Sequence, residues 1–227
     1  MTLPATKEIR RRLQDSYDLD RLYGETMGLP TGDTKEKPLR ELAALLEAAG
    51  TPYALIGGVA VQLYSAEPRS TKDIDIAVPT FDHIPREALE RAGFTYEGRF
   101  PHSDNWRSPG PGARKDRIAV QFSAEDIGLA DAVAHAQAVE VEPGLRLRLV
   151  AVPDLAVLKL AAAAEPRRRQ SKRLVDFADV VRLLEEHPEV SVALPDLRER
   201  LTAVGTKILT ASLDVNVAQG DEEEKRR

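Results

Sequence analysis

The sequence contains no cysteine, and this absence narrows the chemistry open to the protein. Without thiols there are no disulfides, no cysteine nucleophile and no thiolate metal ligands, so a metal ion must be bound by oxygen or imidazole. The four histidines, at positions 83, 102, 135 and 187, show no metal-ligand spacing. Oxygen atoms are therefore the metal ligands that we expect.

Long apolar runs are also missing. No segment approaches the roughly 20 apolar residues that cross a bilayer, and the N-terminal stretch MTLPATKEIRRRLQDSYDLD has no apolar signal core. We therefore expect a cytoplasmic protein that makes no membrane contacts. The sequence does not indicate an oligomeric state.

The chain also has no excess of positive charge, and its net charge is −5. This value argues against broad nonspecific binding to nucleic acid. The local run RRRQSKR, Arg167 to Arg173, is nevertheless basic. It either binds RNA phosphates, which would make the protein an RNA-binding module, or forms a solvated helix start.

Strands alternate with helices over most of the chain, and a helical block follows. We divide the chain into an N-terminal helical or flexible segment (1–37), a core (38–152), a helical C-terminal region (153–213) and a disordered charged tail (214–227). This order of elements is typical of an α/β or α+β fold. The polar stretch HSDNWRSPGPGARKD is interpreted as a loop that exposes Trp106.

Two acids occupy one face of a predicted strand in the stretch RSTKDIDIAV. Side chains alternate along a strand, so Asp73 and Asp75 point the same way, about 7 Å apart. Their repulsion is relieved when a cation lies between them, and Mg²⁺ commonly takes one or two carboxylates together with substrate phosphates. A solvated edge strand is the simpler interpretation of the acid pair alone.

Two glycines precede these acids by about fifteen residues, in the stretch LIGGVAVQLY. Gly57 and Gly58 lie between a predicted strand and a predicted helix, where phosphate oxygens can approach backbone N–H groups. Arg69, Ser70 and Thr71 are further candidate phosphate contacts. The glycines alone would be explained by a tight turn, but their combination with the acids favours a nucleotide site.

At these residues the sequence resembles the nucleotidyltransferase superfamily that includes DNA polymerase β. The form Arg69-x-Thr71-x-Asp73-x-Asp75 is most similar to the branch that contains the AbiEii-type toxins. The resemblance implies a mixed sheet flanked by helices, with the C-terminal helices closing a cleft. It also implies that Gly57 and Gly58, with Arg69 and Thr71, bind a nucleoside triphosphate while Asp73 and Asp75 bind Mg²⁺ or Mn²⁺.

A third carboxylate, which many superfamily members carry on a later strand, is absent from the candidate strand RIAVQFS. That strand offers Ala119 and Gln121, with Asp116 at its start. Glutamine can bind a metal through its carbonyl but is a poor base. Three alternatives stay open: a neighbouring acid substitutes, the protein works without the third acid, or it has lost catalysis.

Lys159 is the one charge in the apolar helical stretch LAVLKLAAAA. Burying an ammonium without a partner is costly, so we expect it to reach toward an anion in a cleft. In the AbiEii-like branch a helix lysine and an acid on the next helix have such a role, and Lys159 with Asp176 is similar. The alternative for Asp176 and Asp179 is a polar stripe of i, i+3 pairs with arginines.

The function predicted from these residues is Mg²⁺-dependent transfer of a nucleoside monophosphate from a nucleoside triphosphate to a hydroxyl acceptor. RNA, a protein or a small molecule would supply the hydroxyl. The alternative is a catalytically degenerate nucleotide-binding protein or toxin–antitoxin component with the same fold. We expect Lys159→Ala to lower turnover with little change in melting temperature.

Overall fold

The computed structural model describes residues 6–26, 34–69, 71–110 and 113–224, with side chains through residue 211. Residues 27–33 and Ser70 lie outside the described residues. The chain forms two compact units, Met1–Leu155 and Ala156–Arg227. The N-terminal segment therefore belongs to the first unit, whereas the sequence divided it from the core at residue 37.

The first unit consists of a sheet and its flanking helices. Its helices are α1 (Thr6–Thr26), α2 (Glu36–Ala48), α3 (Gly57–Tyr64), α4 (Arg86–Arg91) and α5 (Leu129–Ala134). Its strands are β1 (Ala54–Ile56), β2 (Ile74–Ala77), β3 (Thr95–Phe100), β4 (Ser103–Arg107), β5 (Ala119–Ser123), β6 (Gln137–Glu142) and β7 (Leu145–Leu149). Single 3₁₀ turns lie at Phe81–His83 and Arg114–Asp116.

The seven strands form one mixed sheet in the order β3-β4-β5-β2-β1-β7-β6. Strand β2 is antiparallel to β1 and parallel to β5, with Asp75 opposite Ile56 on one side and Gln121 on the other. The mixed α/β sheet predicted from the sequence is confirmed. The short central strand β2 brings Asp75 next to the glycine turn on one side and to Gln121, the third candidate position, on the other.

Helix α1 packs on α3 and β6 through its buried side. Lys35 follows this helix and is fully buried; its ammonium donates to Asp20 Oδ1 at 2.6 Å and to Ser16 Oγ at 2.9 Å. Burial holds the pKa of Lys35 below its ordinary value, although Asp20 opposes the shift. This pair fixes the start of α2 against α1.

The prediction of an exposed Trp106 is wrong. Residues 103–107 form strand β4, and Trp106 is buried, with its ring centroid 5.0 Å from that of Tyr96. The polar composition of the stretch concealed the strand, because its buried acid is neutralised by residues distant in sequence. Asp104 is fully buried and accepts hydrogen bonds from Arg86, Arg99 and Tyr96.

The electrostatics of Asp104 follow from those partners. Burial alone would raise the pKa of its carboxyl, but hydrogen bonds from Arg99 and Arg86 hold that pKa below its ordinary value. Both arginines also lie over aromatic rings, Arg86 over Tyr96 and Arg99 over Phe81. The acid therefore organises a charged and aromatic cluster on the side of the sheet opposite Gln121.

The second unit is helical, as the sequence predicted. Helix α6 (Val152–Ala164) leads into it, and α7 (Gln170–Glu186), α8 (Val190–Ala193) and α9 (Leu197–Glu224) complete it. Helix α9 includes residues 214–224, which we expected to be disordered; glutamate, glutamine and alanine extend a helix that is already nucleated. Residues 225–227 lie outside the described residues. None of the described helices is long and apolar enough to cross a membrane.

Candidate active site

The turn after β1 brings the backbone against a carboxylate. Gly57 has φ +68°, a conformation that glycine adopts at little cost, and it begins helix α3. A Cβ at this position would lie 2.6 Å from Asp75 Cβ and within the space of the Asp75 carboxylate. Only glycine therefore allows the carboxylate of β2 to lie beside the N-terminus of α3.

Gly58 makes a second close approach, to the segment that precedes β2. A Cβ there would lie 2.6 Å from Thr71 Oγ1 and would also overlap the guanidinium of Arg69. The structure thus brings together Gly57, Gly58, Arg69, Thr71 and Asp75, as the sequence predicted for a phosphate site. Their nucleotide-binding role stays a prediction.

The two predicted metal ligands differ in their surroundings. Asp75 lies on β2 and is half-buried, whereas Asp73 precedes the strand and is exposed. Among the described residues no group of three or more histidine, aspartate or glutamate side chains could hold a metal. The carboxylates of Asp73 and Asp75 are oxygen ligands of the kind that Mg²⁺ takes, and its remaining ligands come from water and phosphate.

The third candidate position is occupied by an amide. Gln121 lies opposite Asp75 on β5, and Asn105 lies opposite Gln121 on β4, so the three side chains share one face of the sheet. Asp116 lies in an exposed 3₁₀ turn before β5, away from this row. Sequence analysis missed Asn105 because its strand was interpreted as a loop.

Buried hydrogen bonds fix the position of the segment that contains Arg69. Gln62 donates to Arg69 O at 2.6 Å and to Ser16 Oγ at 2.8 Å, in the amide orientation that its neighbours require. Lys72 lies over the ring of Tyr23, 4.0 Å from its centroid. Helix α1 therefore supports the residues that lead into the acid pair, a role with no local sequence signal.

In the second unit, Lys159 is the centre of a buried ion-pair network. Its ammonium lies 2.8 Å from Asp176 Oδ1 and 2.8 Å from Asp179 Oδ2, and both acids are buried. Asp176 also accepts from Arg168 at 2.8 Å, and Asp179 from Arg182 at 3.3 Å. The anions that Lys159 was expected to reach are thus Asp176 and Asp179 of its own unit. The catalytic role of Lys159 stays a prediction.

Part of the basic run Arg167 to Arg173 has a structural use. Arg168 pairs with Asp176, and the buried Arg173 donates to Ala163 O at 2.8 Å, near the C-terminal end of α6. Arg167, Arg169 and Lys172 are exposed. Two of the cations that suggested an RNA-binding patch therefore stabilise the helices of the second unit.

The turn at Gly57 lies against Asp75, with Asp73 two residues earlier in the chain, and these residues form the motif that resembles the nucleotidyltransferases. A family described as nucleotidyl transferase AbiEii toxin, type IV toxin–antitoxin system, matches residues 40–225. The chain belongs to this family, and it is a nucleotidyltransferase, as the sequence predicted. No curated protein matches the chain at the required significance.

Solved structures with similar folds have low identity to this chain. An antigenic nucleotidyltransferase-like protein from Paracoccidioides brasiliensis is 19% identical, covers 74% of this chain and 91% of its own, and has a TM-score of 0.47. A lincosamide antibiotic adenylyltransferase, LnuA, bound to lincomycin, is 14% identical, covers 67% and 99%, and has a TM-score of 0.45.

The first prediction compares two glycines that share a left-handed backbone. Gly57→Ala and Gly50→Ala both place a Cβ at positive φ, at a cost of about 1–2 kcal/mol. Gly50 has no atom within 4 Å of that Cβ, whereas Gly57 meets Asp75. We expect Gly57→Ala to be the more destabilised variant in urea unfolding and to lose Mg²⁺-triphosphate binding by calorimetry, while Gly50→Ala binds normally. Equal triphosphate affinity in the two variants would contradict the site.

The second prediction corrects the expected stability of a Lys159 variant. Removing one partner of a buried ion pair costs about 3–5 kcal/mol, because it leaves uncompensated charge. Lys159→Ala should therefore lower the free energy of unfolding by that amount, and adding Asp176→Asn and Asp179→Asn should recover part of it. Lys172→Ala, at an exposed position, is the control and should unfold like the wild type. A Lys159→Ala protein of unchanged stability would show that the network contributes little.

Proposed function

We propose that the protein transfers a nucleoside monophosphate from a nucleoside triphosphate to a hydroxyl acceptor in a Mg²⁺-dependent reaction. The observation that supports this most strongly is the glycine turn whose backbone lies against Asp75. A Cβ at Gly57 would overlap the Asp75 carboxylate, so glycine lets that carboxylate lie against the N-terminus of α3. Backbone N–H groups at a helix N-terminus favour phosphate oxygens.

The candidate residues form two groups, one for the triphosphate oxygens and one for the metal ion. Gly57 and Gly58 present backbone N–H groups, and Arg69 and Thr71 lie beside them with donors suited to the triphosphate oxygens. Asp73 and Asp75 would hold Mg²⁺ or Mn²⁺, which neutralises charge on the transferring phosphate. Positioning and charge neutralisation account for most of the catalysis expected in such a site.

The acceptor hydroxyl belongs to an RNA, a protein or a small molecule. Membership of the family adds a toxin–antitoxin context, in which modification of a cellular component would be the toxic event. Strand β5, which lies beside Asp75 and is fully described, carries no third carboxylate. Removal of the proton from the acceptor is therefore the step that this site supports least.

The third prediction tests the acid pair. The double variant Asp73→Asn/Asp75→Asn removes two repelling charges, so it should fold as stably as the wild type or slightly more so. It should lose transfer of the α-phosphate label from every nucleoside triphosphate to total RNA, protein and small hydroxyl acceptors. Asp116→Asn, a change of an exposed aspartate in a turn, is the matched control and should keep activity.

Two outcomes would contradict the proposal. Unchanged Mg²⁺-triphosphate affinity in the double variant would show that the pair is not a metal site. Saturable binding of triphosphate by the wild type without transfer to any acceptor would make the chain a nucleotide-binding protein with the fold of an enzyme.

A further inference from the structure

A continuous chain of buried polar groups connects helix α1 to the segment that contains Arg69. It begins with the carboxylate of Asp20, the ammonium of Lys35 and the hydroxyl of Ser16, whose oxygen accepts from Lys35 at 2.9 Å. It continues through Gln62 of α3, whose amide nitrogen lies 2.8 Å from Ser16 Oγ and 2.6 Å from the carbonyl oxygen of Arg69. The four side chains that form this chain are buried. Little water competes for these hydrogen bonds, so the position of each group depends on its neighbours in the chain.

The amide of Gln62 uses both of its N–H groups. One donates to Ser16 Oγ and the other to the Arg69 carbonyl, while the amide oxygen accepts from the backbone N–H of Ser16 at 3.3 Å. The reverse orientation would turn the amide oxygen toward acceptors and its nitrogen toward a donor. Gln62 therefore links the position of Ser16 on α1 to the position of the Arg69 backbone.

Helix α3 contacts the same segment at a second point. Gly58 and Gln62 are four residues apart in this helix, so they lie on one face of it. A Cβ at Gly58 would overlap the guanidinium of Arg69 and the hydroxyl of Thr71. One face of α3 thus contacts the two candidate phosphate-binding side chains at Gly58 and the Arg69 carbonyl at Gln62.

Arg12 makes another contact between α1 and α3. It is buried, and its guanidinium donates to the carbonyl of Leu63 at 3.3 Å and to Glu8 Oε1 at 2.6 Å. A cation at the carbonyl end of a helix satisfies a group that the helix itself leaves open. The distance between Ser16 and Gln62 is thus held by a contact that does not involve Arg69.

We propose that Gln62 and Ser16 are positioning residues for the triphosphate, which hold the Arg69 carbonyl and thereby the donors of Arg69 and Thr71. This inference rests on the proposed function and adds to its site a helix that lies before the residues matched by the family. A buried carbonyl that loses its donor moves toward another donor, because leaving it unsatisfied is costly. Its side chain moves with it, and hydrogen bonds to phosphate depend on distance and angle.

The fourth prediction compares two buried side chains of α3. Gln62→Met keeps the length of the side chain and removes both donated hydrogen bonds. Tyr64→Phe is the control, because it removes the hydrogen bond that Tyr64 donates to Val150 O at 2.7 Å and leaves the Arg69 carbonyl bonded. At a temperature where circular dichroism shows both variants to be folded, lower global stability alone leaves ligand affinity unchanged. We expect Gln62→Met to raise the dissociation constant of Mg²⁺-triphosphate about tenfold in calorimetry, and Tyr64→Phe to bind like the wild type.

Two further variants show whether the effect passes through the proposed path. Ser16→Ala removes one hydroxyl and leaves the Gln62 amide bonded to Arg69, so it should raise the dissociation constant by about threefold. The double variant Ser16→Ala/Gln62→Met should bind no more weakly than Gln62→Met, because the two residues act in series. Arg69→Ala should weaken binding, and in that background Gln62→Met should have a smaller effect than in the wild type.

The outcomes separate this inference from the proposed function. If Arg69→Ala weakens binding but folded Gln62→Met does not, the inference alone is wrong. Equal weakening in Gln62→Met and Tyr64→Phe would also overturn it, because the effect would then come from general packing of α3. Unchanged affinity in Arg69→Ala would remove the group that Gln62 is proposed to position. A wild type that binds none of the four nucleoside triphosphates with Mg²⁺ would end the proposed function as well.

Hydrogen exchange measures the same coupling in the other direction. If contact with α1 raises triphosphate affinity, triphosphate must stabilise that contact by the same factor. Saturating Mg²⁺-triphosphate should therefore slow exchange of the α1 amides near Ser16 more than exchange of the α4 amides in the wild type. In Gln62→Met, at saturating triphosphate, this additional protection of α1 should be lost. Equal protection of α1 in the two proteins would contradict the inference.

Discussion

The contact between the backbone of Gly57 and the carboxylate of Asp75 is the constraint on which the site depends. It requires antiparallel pairing of β1 with β2, because Ile56 lies opposite Asp75 in that register. It also requires a glycine at positive φ, since the helix must begin at the point where the carboxylate arrives. A one-residue shift of register would turn Asp75 to the other face of the sheet and bring Ile74 or Ile76 to the turn.

The same register separates the two faces of the central strands. Ile74 and Ile76 on β2, and Val120 and Phe122 on β5, are buried on one side. The half-buried positions Asp75 and Gln121 lie on the other. The apolar face supplies the burial that stabilises the sheet, so the polar face is free to carry charge and amides without a large cost in stability.

Local patterns predicted the approach of the glycine pair to Asp75 better than they predicted the surrounding structure. The glycines and the acids can be interpreted from neighbouring residues alone, and strand pairing places Asp75 against Gly57 as expected. The binding roles of these residues stay a prediction. Trp106 and Lys159 could not be placed from local patterns. The strand of Trp106 contains a buried acid whose arginine partners are on α4 and β3. Lys159 is neutralised by acids 17 and 20 residues later, on the next helix.

Helix α1 lies before the residues that the family matches, yet it supports a segment of the candidate site. The family match begins at residue 40, yet Gln62, which donates to the carbonyl of Arg69, is itself hydrogen-bonded to Ser16 of α1. Buried amides and carbonyls are costly without partners. Removing α1 would leave the Gln62 amide without its hydrogen bonds to Ser16 and would lower the stability of the fold. Any relative that keeps this segment but lacks α1 must therefore satisfy Gln62 and the Arg69 carbonyl through other residues. The position of the Arg69 segment is thus set by packing against α1 as well as by the local sequence.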